Sequence, residues 1–96
     1  MRAAPLEIER VGSRLRLRGP IGFASAREGL AAIGALLGNV EAIDLAGVTH
    51  ADSAGLALLL ECLKRAAPAR LRLESPPPQL LALARAMALG GLFEAP

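Results

Sequence analysis

Three residues capable of nucleophilic chemistry lie close together near the middle of the chain: His50, Asp52 and Ser53. They are the residue types of a Ser-His-Asp triad. A working triad needs side chains that converge from separate elements, whereas these three are almost adjacent in sequence. The hydrolase pattern Gly-x-Ser-x-Gly is also broken, because Ala51 stands where its first glycine belongs. The sequence therefore predicts no catalytic residue, and we expect that this protein is not an enzyme.

Metal and phosphate sites are not indicated either. The chain has one histidine and one cysteine, Cys62, which are too few for a clustered zinc site. It has no glycine-rich loop of the Gly-x-x-x-x-Gly-Lys type, so ATP hydrolysis by this chain is not expected. We expect no metal and no other cofactor. Cys62 is interpreted as a small apolar packing residue, and a single cysteine without a disulfide partner favours a reducing compartment.

The informative segment is Asp52-Ser53-Ala54-Gly55, which opens a predicted helix after a predicted central strand. Asp52 or Ser53 can act as the helix N-cap, an interaction worth about 1 kcal/mol. The same helix end can also dock onto another protein, and the two roles are compatible. The candidate partner-binding residues are Thr49, His50, Asp52, Ser53, Ala54 and Gly55.

Ser53 is also a candidate phosphorylation site. A helix N-terminus stabilises an added anion, so a phosphoryl group on this hydroxyl would be tolerated by the chain itself. It would bring nearly two negative charges into the docking surface and repel or reorder a partner.

The strands that position this segment are predicted from alternation of apolar and charged residues. This alternation indicates a hairpin of residues 6–9 and 14–18, with the arginines of the second strand facing solvent. Residues 40–45 form an apolar run that predicts a central strand covered on both faces. A loop is expected over 46–51, and residues 70–74 alternate again as a further strand.

Helical periodicity predicts three helices. The first begins with a capping box of Ser25 and Glu28 and ends at Gly38. The second begins at Asp52 and is stopped by Pro68. The predicted buried faces are Leu30, Ile33 and Leu37 for the first helix, Leu56, Leu59, Leu60 and Leu63 for the second, and Leu80, Leu83, Ala84 and Met87 for the third, which starts in the proline run 76–78.

The predicted order of elements is β-β-α-β-α-β-α in a single domain of residues 1–96. Right-handed crossovers place successive strands of the β-α-β-α-β part side by side and parallel, while the first hairpin is antiparallel. The predicted fold class is therefore α/β, with a mixed, mostly parallel sheet of about four strands and three helices.

Composition excludes several functions. A hydrophobic fraction of 53% with 21% charged residues is typical of a globular protein. The net charge is only +2, and the chain has no dense basic run and neither Trp nor Tyr for base stacking, so nucleic-acid binding is not expected. No apolar stretch approaches the roughly 20 residues that a spanning helix needs. Without an apolar signal core at its N-terminus, the chain is expected to be soluble and cytoplasmic.

The segments 43–45 and 52–56 resemble the STAS family, the sulfate-transporter and anti-sigma-antagonist domains. The residues that carry the likeness are Ile43-Asp44-Leu45 at the strand end and Asp52-Ser53-Ala54-Gly55-Leu56 at the helix start. The order of elements agrees along essentially the whole chain. The resemblance implies the STAS fold and a role in binding partner proteins.

Within that family, residues 52–60 are similar to the Asp-Thr-Gly-Gly-Leu-Ala-Leu-Leu-Leu segment of MlaB-type domains, as is the C-terminal pattern of Leu80, Leu83-Ala84 and Leu89. This likeness implies a subunit that binds and supports the ATPase of an Mla-type phospholipid-transporting ABC complex with a membrane permease. The chain would then lie at the inner membrane through its partner, without inserting, and maintain outer-membrane lipid asymmetry.

A second implication stays open because Ser53 occupies the position of the MlaB-type threonine. Serine is also what SpoIIAA-type anti-sigma antagonists have there, where the partner kinase phosphorylates it. The alternative function is therefore an anti-sigma factor antagonist in a partner-switching module, phosphorylated at Ser53 by an anti-sigma factor kinase.

Overall fold

The computed structural model describes residues 5–67 and 69–93. The predicted helix stop at Pro68 lies outside these ranges. The elements are strands β1 (Glu7–Val11), β2 (Arg14–Ile21), β3 (Ala42–Ala51) and β4 (Arg72–Glu74), helices α1 (Ala26–Leu36), α2 (Ser53–Ala66) and α3 (Pro78–Ala86), and a closing 3-10 turn (Gly90–Phe93). They follow one another in the predicted order.

The four strands form one sheet in the order β1-β2-β3-β4. β1 and β2 are antiparallel, as the predicted hairpin requires, whereas β2 with β3 and β3 with β4 are parallel. The predicted fold class, a mixed and mostly parallel sheet with three helices, is confirmed.

The two faces of the sheet differ in character. Leu15 and Leu17 of β2 are fully buried, while the arginines that alternate with them are exposed. The three helices lie over the leucine face, with α2 packed between α1 and α3. Ile43 and Leu45 of β3 and Leu73 of β4 complete the apolar layer. The predicted solvent-facing arginine stripe is confirmed.

The prediction that β3 is covered on both faces is wrong. Asp44 points to the face opposite the helices, where it lies 3.9 Å from Arg16. On the same face Arg14 pairs with Glu74 at 2.9 Å, and Arg18 pairs with Glu9 at 3.3 Å. Register places Asp44 between Arg16 of β2 and Glu74 of β4, and such charges stay hydrated because burying them would cost more than their pairing returns.

The loop predicted over 46–51 is the second half of β3. β2 continues beyond the Gly19-Pro20 signal to Ile21, and its last residues pair with Val48, His50 and Ala51. The pairing shifts register between Gly19 and Pro20, since proline cannot donate to the ladder. This extension brings the carboxyl end of β3 directly to the start of α2.

The helix predictions need three corrections. The capping box at the start of α1 is wrong: the Ser25 side chain makes no cap, and its Oγ instead accepts from Gly22 N at 3.1 Å and donates to the Pro20 carbonyl at 3.2 Å. Met87 is 48% exposed, because it lies at the C-cap of α3, where the helix has ended. On α2, Leu56 and Leu59 are buried as predicted, whereas Leu60 and Leu63 are half-buried and Leu58 is buried in their place.

Cys62 of α2 is fully buried among these apolar side chains. Burial raises the pKa of its thiol to about 11. Its complete burial confirms the interpretation of Cys62 as a packing residue, and the raised pKa keeps the thiol protonated at neutral pH.

The α2 N-terminus as a candidate docking site

The candidate residues gather where the parallel strands β2 and β3 end. Asp52 is the only residue between Ala51, which ends β3, and Ser53, which begins α2. The short connection from β2 to α1 lies beside it, because β2 and β3 are neighbours and run in the same direction. Binding sites of parallel sheets commonly form at this carboxyl edge.

The Asp52 carboxylate joins these two connections. Its backbone is extended (φ −119°, ψ −174°), and its Oδ1 accepts from Gly55 N at 3.0 Å, which makes it the N-cap of α2. Its Oδ2 accepts from Phe23 N, 3.1 Å away in the β2–α1 connection. The backbone N–H groups of Phe23 and then Gly55 hold the pKa of this carboxyl below its ordinary value, because they stabilise the charged form.

Sequence reasoning left the N-cap open between Asp52 and Ser53, and the structure assigns it to Asp52. The side chain of Asp52 is therefore occupied by two internal donors. Its contribution to the site is to hold the α2 N-terminus and the β2–α1 connection together.

Gly55 also has an internal role. It is buried, and a Cβ added to it would overlap the carbonyl oxygen of Ile21 at the end of β2. Gly22 is similar, since its added Cβ would lie 2.7 Å from Asp52 Oδ2. The absence of side chains at both glycines lets α2 approach the end of β2 closely enough for the two Asp52 hydrogen bonds to form.

The remaining candidates are accessible. Ser53, the first residue of α2, is exposed, as are Thr49 and His50 near the end of β3, while Ala54 is half-buried. We call these four residues, Thr49, His50, Ser53 and Ala54, the docking face. Of the six residues predicted from sequence, these four leave their side chains available at the surface. Gly55 is buried, and the half-buried Asp52 uses its carboxylate to hold the two connections together.

Phe23 is the neighbour of this face that sequence reasoning missed. Its side chain is 88% exposed, and its backbone N–H is held by Asp52. Two signals in the sequence could have identified it. Phe23 is one of only two Phe residues in a chain without Trp or Tyr, and it lies between a strand and a helix, outside the apolar pattern of either.

The described residues contain neither a metal-ligand cluster nor a membrane-spanning helix. Within 5–67 and 69–93, no three or more His, Cys, Asp or Glu side chains are arranged to hold a metal ion. Nor does any helix in these ranges have the length and apolar character needed to cross a bilayer.

A family model described as "Mlab, STAS domain" matches residues 5–94. The match covers nearly the whole chain, so the protein belongs to this family of STAS domains. No curated protein matches the sequence.

Solved structures support the same fold. The anti-sigma factor antagonist SpoIIAA in its unphosphorylated form aligns with a TM-score of 0.72 at 20% identity, over 93% of this chain and 85% of that one. The phosphorylated form of SpoIIAA, a Bacillus cell fate determinant, aligns with a TM-score of 0.65 at 19% identity, over 93% and 88%. At these identities the likeness concerns the fold alone.

A third likeness is to a protein named Mglu, with a TM-score of 0.56 and 30% identity. It covers 77% of this chain but only 20% of Mglu. The resemblance is therefore to one part of a longer protein.

Proposed function

We propose that this chain is a non-catalytic regulatory subunit of an Mla-type phospholipid-transporting ABC complex, in which it binds the ATPase subunit and supports its activity. The observation that carries the proposal is an exposed hydroxyl, Ser53, at the tip of α2 in a chain of the Mlab STAS family. In this proposal the docking face contacts the ATPase, and the chain reaches the cytoplasmic side of the inner membrane through that partner and the permease.

Physical chemistry supports a binding role for this end of the fold. The Asp52 carboxylate and the two buried glycines fix the α2 N-terminus, so the docking face is organised before any partner arrives. A surface that is ordered in advance loses less conformational entropy on binding. Binding to the folded ATPase alone would also stabilise that subunit by mass action.

The first experiment is co-expression of the tagged chain with the cognate ATPase and permease, followed by purification and identification of the copurifying subunits. We expect a stable complex that contains the ATPase. Purification of the tagged chain free of both subunits would contradict the proposed function.

Substitution Ser53→Glu tests whether the docking face is the contact. Negative charge suits the first turn of a helix, so the fold should be retained, with a free energy of unfolding within about 0.5 kcal/mol of wild type. The new charge lies on the proposed interface, and we expect ATPase affinity to fall at least about tenfold, measured by titration calorimetry.

The matched control is Gln79→Glu, which adds the same charge in the first turn of α3 at another exposed position. It should leave ATPase affinity unchanged. If the Ser53→Glu protein binds the ATPase as tightly as the Gln79→Glu protein does, Ser53 is not part of the interface and has only a structural role at the start of α2.

A second candidate function is favoured by the same exposed hydroxyl together with the SpoIIAA-like fold. In this alternative the chain is an anti-sigma factor antagonist, and a partner kinase phosphorylates Ser53. Incubation with ATP and lysate, followed by mass spectrometry of the peptide that contains Ser53, distinguishes the two. A phosphorylated peptide in wild type that is absent in Ser53→Ala would favour partner switching, and an unmodified peptide argues against it.

A further inference from the structure

Phe23 is the most exposed of the large apolar side chains in the described ranges. Its 88% exposure compares with 48% for Met87 and 45% for Val11. A hydrated phenyl ring contributes nothing to the core of the fold, and aromatic side chains are enriched where proteins meet partners. The ring is therefore available for contact with a partner, and its surroundings decide whether that contact is favoured.

The ring is carried by an ordered segment. The backbone N–H of Phe23 donates to Asp52 Oδ2 at 3.1 Å, and the preceding Gly22 N donates to Ser25 Oγ at 3.1 Å. Ser25 N closes the turn by donating to the Gly22 carbonyl at 3.0 Å. Three hydrogen bonds thus hold the four residues 22–25, so the ring projects from a fixed backbone.

The segment is continuous with the docking face. The carboxylate that holds Phe23 is the N-cap of α2, whose first residue is Ser53. A groove of ≈690 Å³ joins the two, lined by Phe23 and His50 together with Leu6 before β1, Pro20 of β2 and Ala24 of the β2–α1 connection.

The chemistry around the ring selects the kind of partner. Most of the groove beside the ring is uncharged: its charged lining residues are Asp52, whose carboxylate is already bonded to two internal donors, and Glu28 of α1. The docking face contributes hydroxyls and an imidazole. In the segment 22–28 the only basic residue is Arg27, far fewer than the basic cluster that binding to an anionic membrane requires. An apolar pocket of another protein fits this surface better than a charged or lipid surface.

We propose that Phe23 is the apolar anchor of the docking interface, inserting its ring into an uncharged apolar pocket of the ATPase subunit. The inference rests on the proposed function and adds a residue and a binding chemistry to it. If the ring dominates the contact, the affinity should depend only weakly on ionic strength. If charges dominated it, the affinity would fall strongly with added salt, because salt screens charges.

The test is titration of the purified cognate ATPase with wild type, Phe23→Ala and Phe23→Leu. Because the ring is 88% exposed, both variants should keep the thermal midpoint of wild type. We expect Phe23→Ala to bind at least about tenfold more weakly, with Phe23→Leu intermediate, since truncation of an interface hot spot typically has this effect. Wild-type affinity should change less than about threefold between 50 and 500 mM salt.

The matched control is Met87→Ala, which removes an exposed apolar side chain at the end of α3, a helix that does not contact α1 within the described ranges. It should bind like wild type. Unchanged affinity of Phe23→Ala would overturn the anchor, and so would a steep loss of wild-type affinity with salt. If Phe23→Ala bound anionic vesicles more weakly than wild type does but kept its ATPase affinity, the ring would be assigned to a membrane. That result would also overturn the proposed anchor.

The Ser53→Glu variant separates failure of the anchor from failure of the proposed function. Weakened binding by Ser53→Glu with normal binding by Phe23→Ala leaves the docking face in place and removes only the anchor. If wild type does not bind the ATPase, both proposals fall. If wild type binds and neither variant differs from it, the interface lies elsewhere on the chain and the anchor is overturned.

Discussion

At the scale of single residues, Asp52 determines the geometry of the site. One carboxylate oxygen caps α2 and the other holds the backbone of Phe23, so a single side chain fixes two segments that are 29 residues apart. Ser53, next to it, keeps its hydroxyl at the surface. Asp52 therefore supplies the cap, and the neighbouring Ser53 hydroxyl stays exposed for the proposed partner contact.

Replacing Asp52 should therefore destabilise the fold as well as the interface. Asp52→Ala removes the N-cap and the acceptor for Phe23 N, and we expect the free energy of unfolding to fall by about 1–2 kcal/mol. Urea denaturation measures the loss. The control Glu7→Ala removes an exposed carboxylate on β1 and should stay within about 0.5 kcal/mol of wild type, and a similar loss in both variants would contradict the special role of Asp52.

The contribution of Asp52 should also depend on pH. Backbone donors lower the pKa of this carboxyl from 3.8 in the folded state, so its charged form stabilises the fold. That contribution is fully present above pH 3.8 and is lost as pH falls through the lower folded pKa. The difference in unfolding free energy between wild type and Asp52→Ala should be constant from pH 7 to 5 and shrink in strong acid. A difference that grows on acidification would contradict the charge-stabilised cap.

At the scale of elements, much of the fold was predictable because its signals are local. The period of two in β1 and β2 and the period of 3.6 in α2 are set by side chains that meet the core, so they can be read along the chain. The second half of β3 could not be predicted in this way. It pairs with the end of β2 around Pro20, about thirty positions earlier in the chain, and proline is normally a signal that a strand has ended. Phe23 was missed for a related reason, because exposure of one apolar residue leaves no period.

The candidate site divides in the same way. The start of α2 at Asp52 and Ser53 could be predicted from N-cap chemistry, which depends on adjacent residues. The second Asp52 hydrogen bond, to Phe23, could not, because it requires β2 and β3 to be paired in register first. The role of the docking face in binding stays a prediction.

The approach of α2 to β2 gives a prediction about helix packing. Gly55→Ala adds a Cβ that would overlap the Ile21 carbonyl, a backbone group that cannot move alone, so α2 must shift. We expect a loss of about 1–3 kcal/mol in unfolding free energy, despite the higher helix propensity of alanine.

Gly34→Ala in α1 is the matched control, because its Cβ would meet only the flexible guanidinium end of Arg65, at 2.9 Å. This variant should be neutral or stabilised by up to about 1 kcal/mol. Thermal unfolding of both proteins measures the contrast. Equal stability of the two variants would contradict the close contact between α2 and the end of β2.

At the scale of the whole molecule, stability comes from one apolar layer between the sheet and its three helices. The buried side chains form a single cluster, with Leu17, Ile43 and Leu56 among its fully buried members. The opposite face of the sheet carries exposed ion pairs, each worth at most about 1 kcal/mol. Consecutive residues of one strand should therefore differ sharply in how much they contribute to the free energy of unfolding.

Arg16 and Leu17 of β2 test this division, because they are adjacent and lie on opposite faces. Leu17→Ala empties part of the only apolar layer described, and we expect it to cost about 2–5 kcal/mol, a large share of the 5–15 kcal/mol typical of a domain. Arg16→Ala breaks one exposed pair at 3.9 Å and should cost at most about 1 kcal/mol. Urea denaturation measures both losses, provided that the dependence of the unfolding free energy on urea concentration is the same in the variants as in wild type. If Arg16→Ala proved as costly as Leu17→Ala, the charged face would be stabilising the fold or would itself be covered, and the helix-covered layer would no longer account for the stability of the chain.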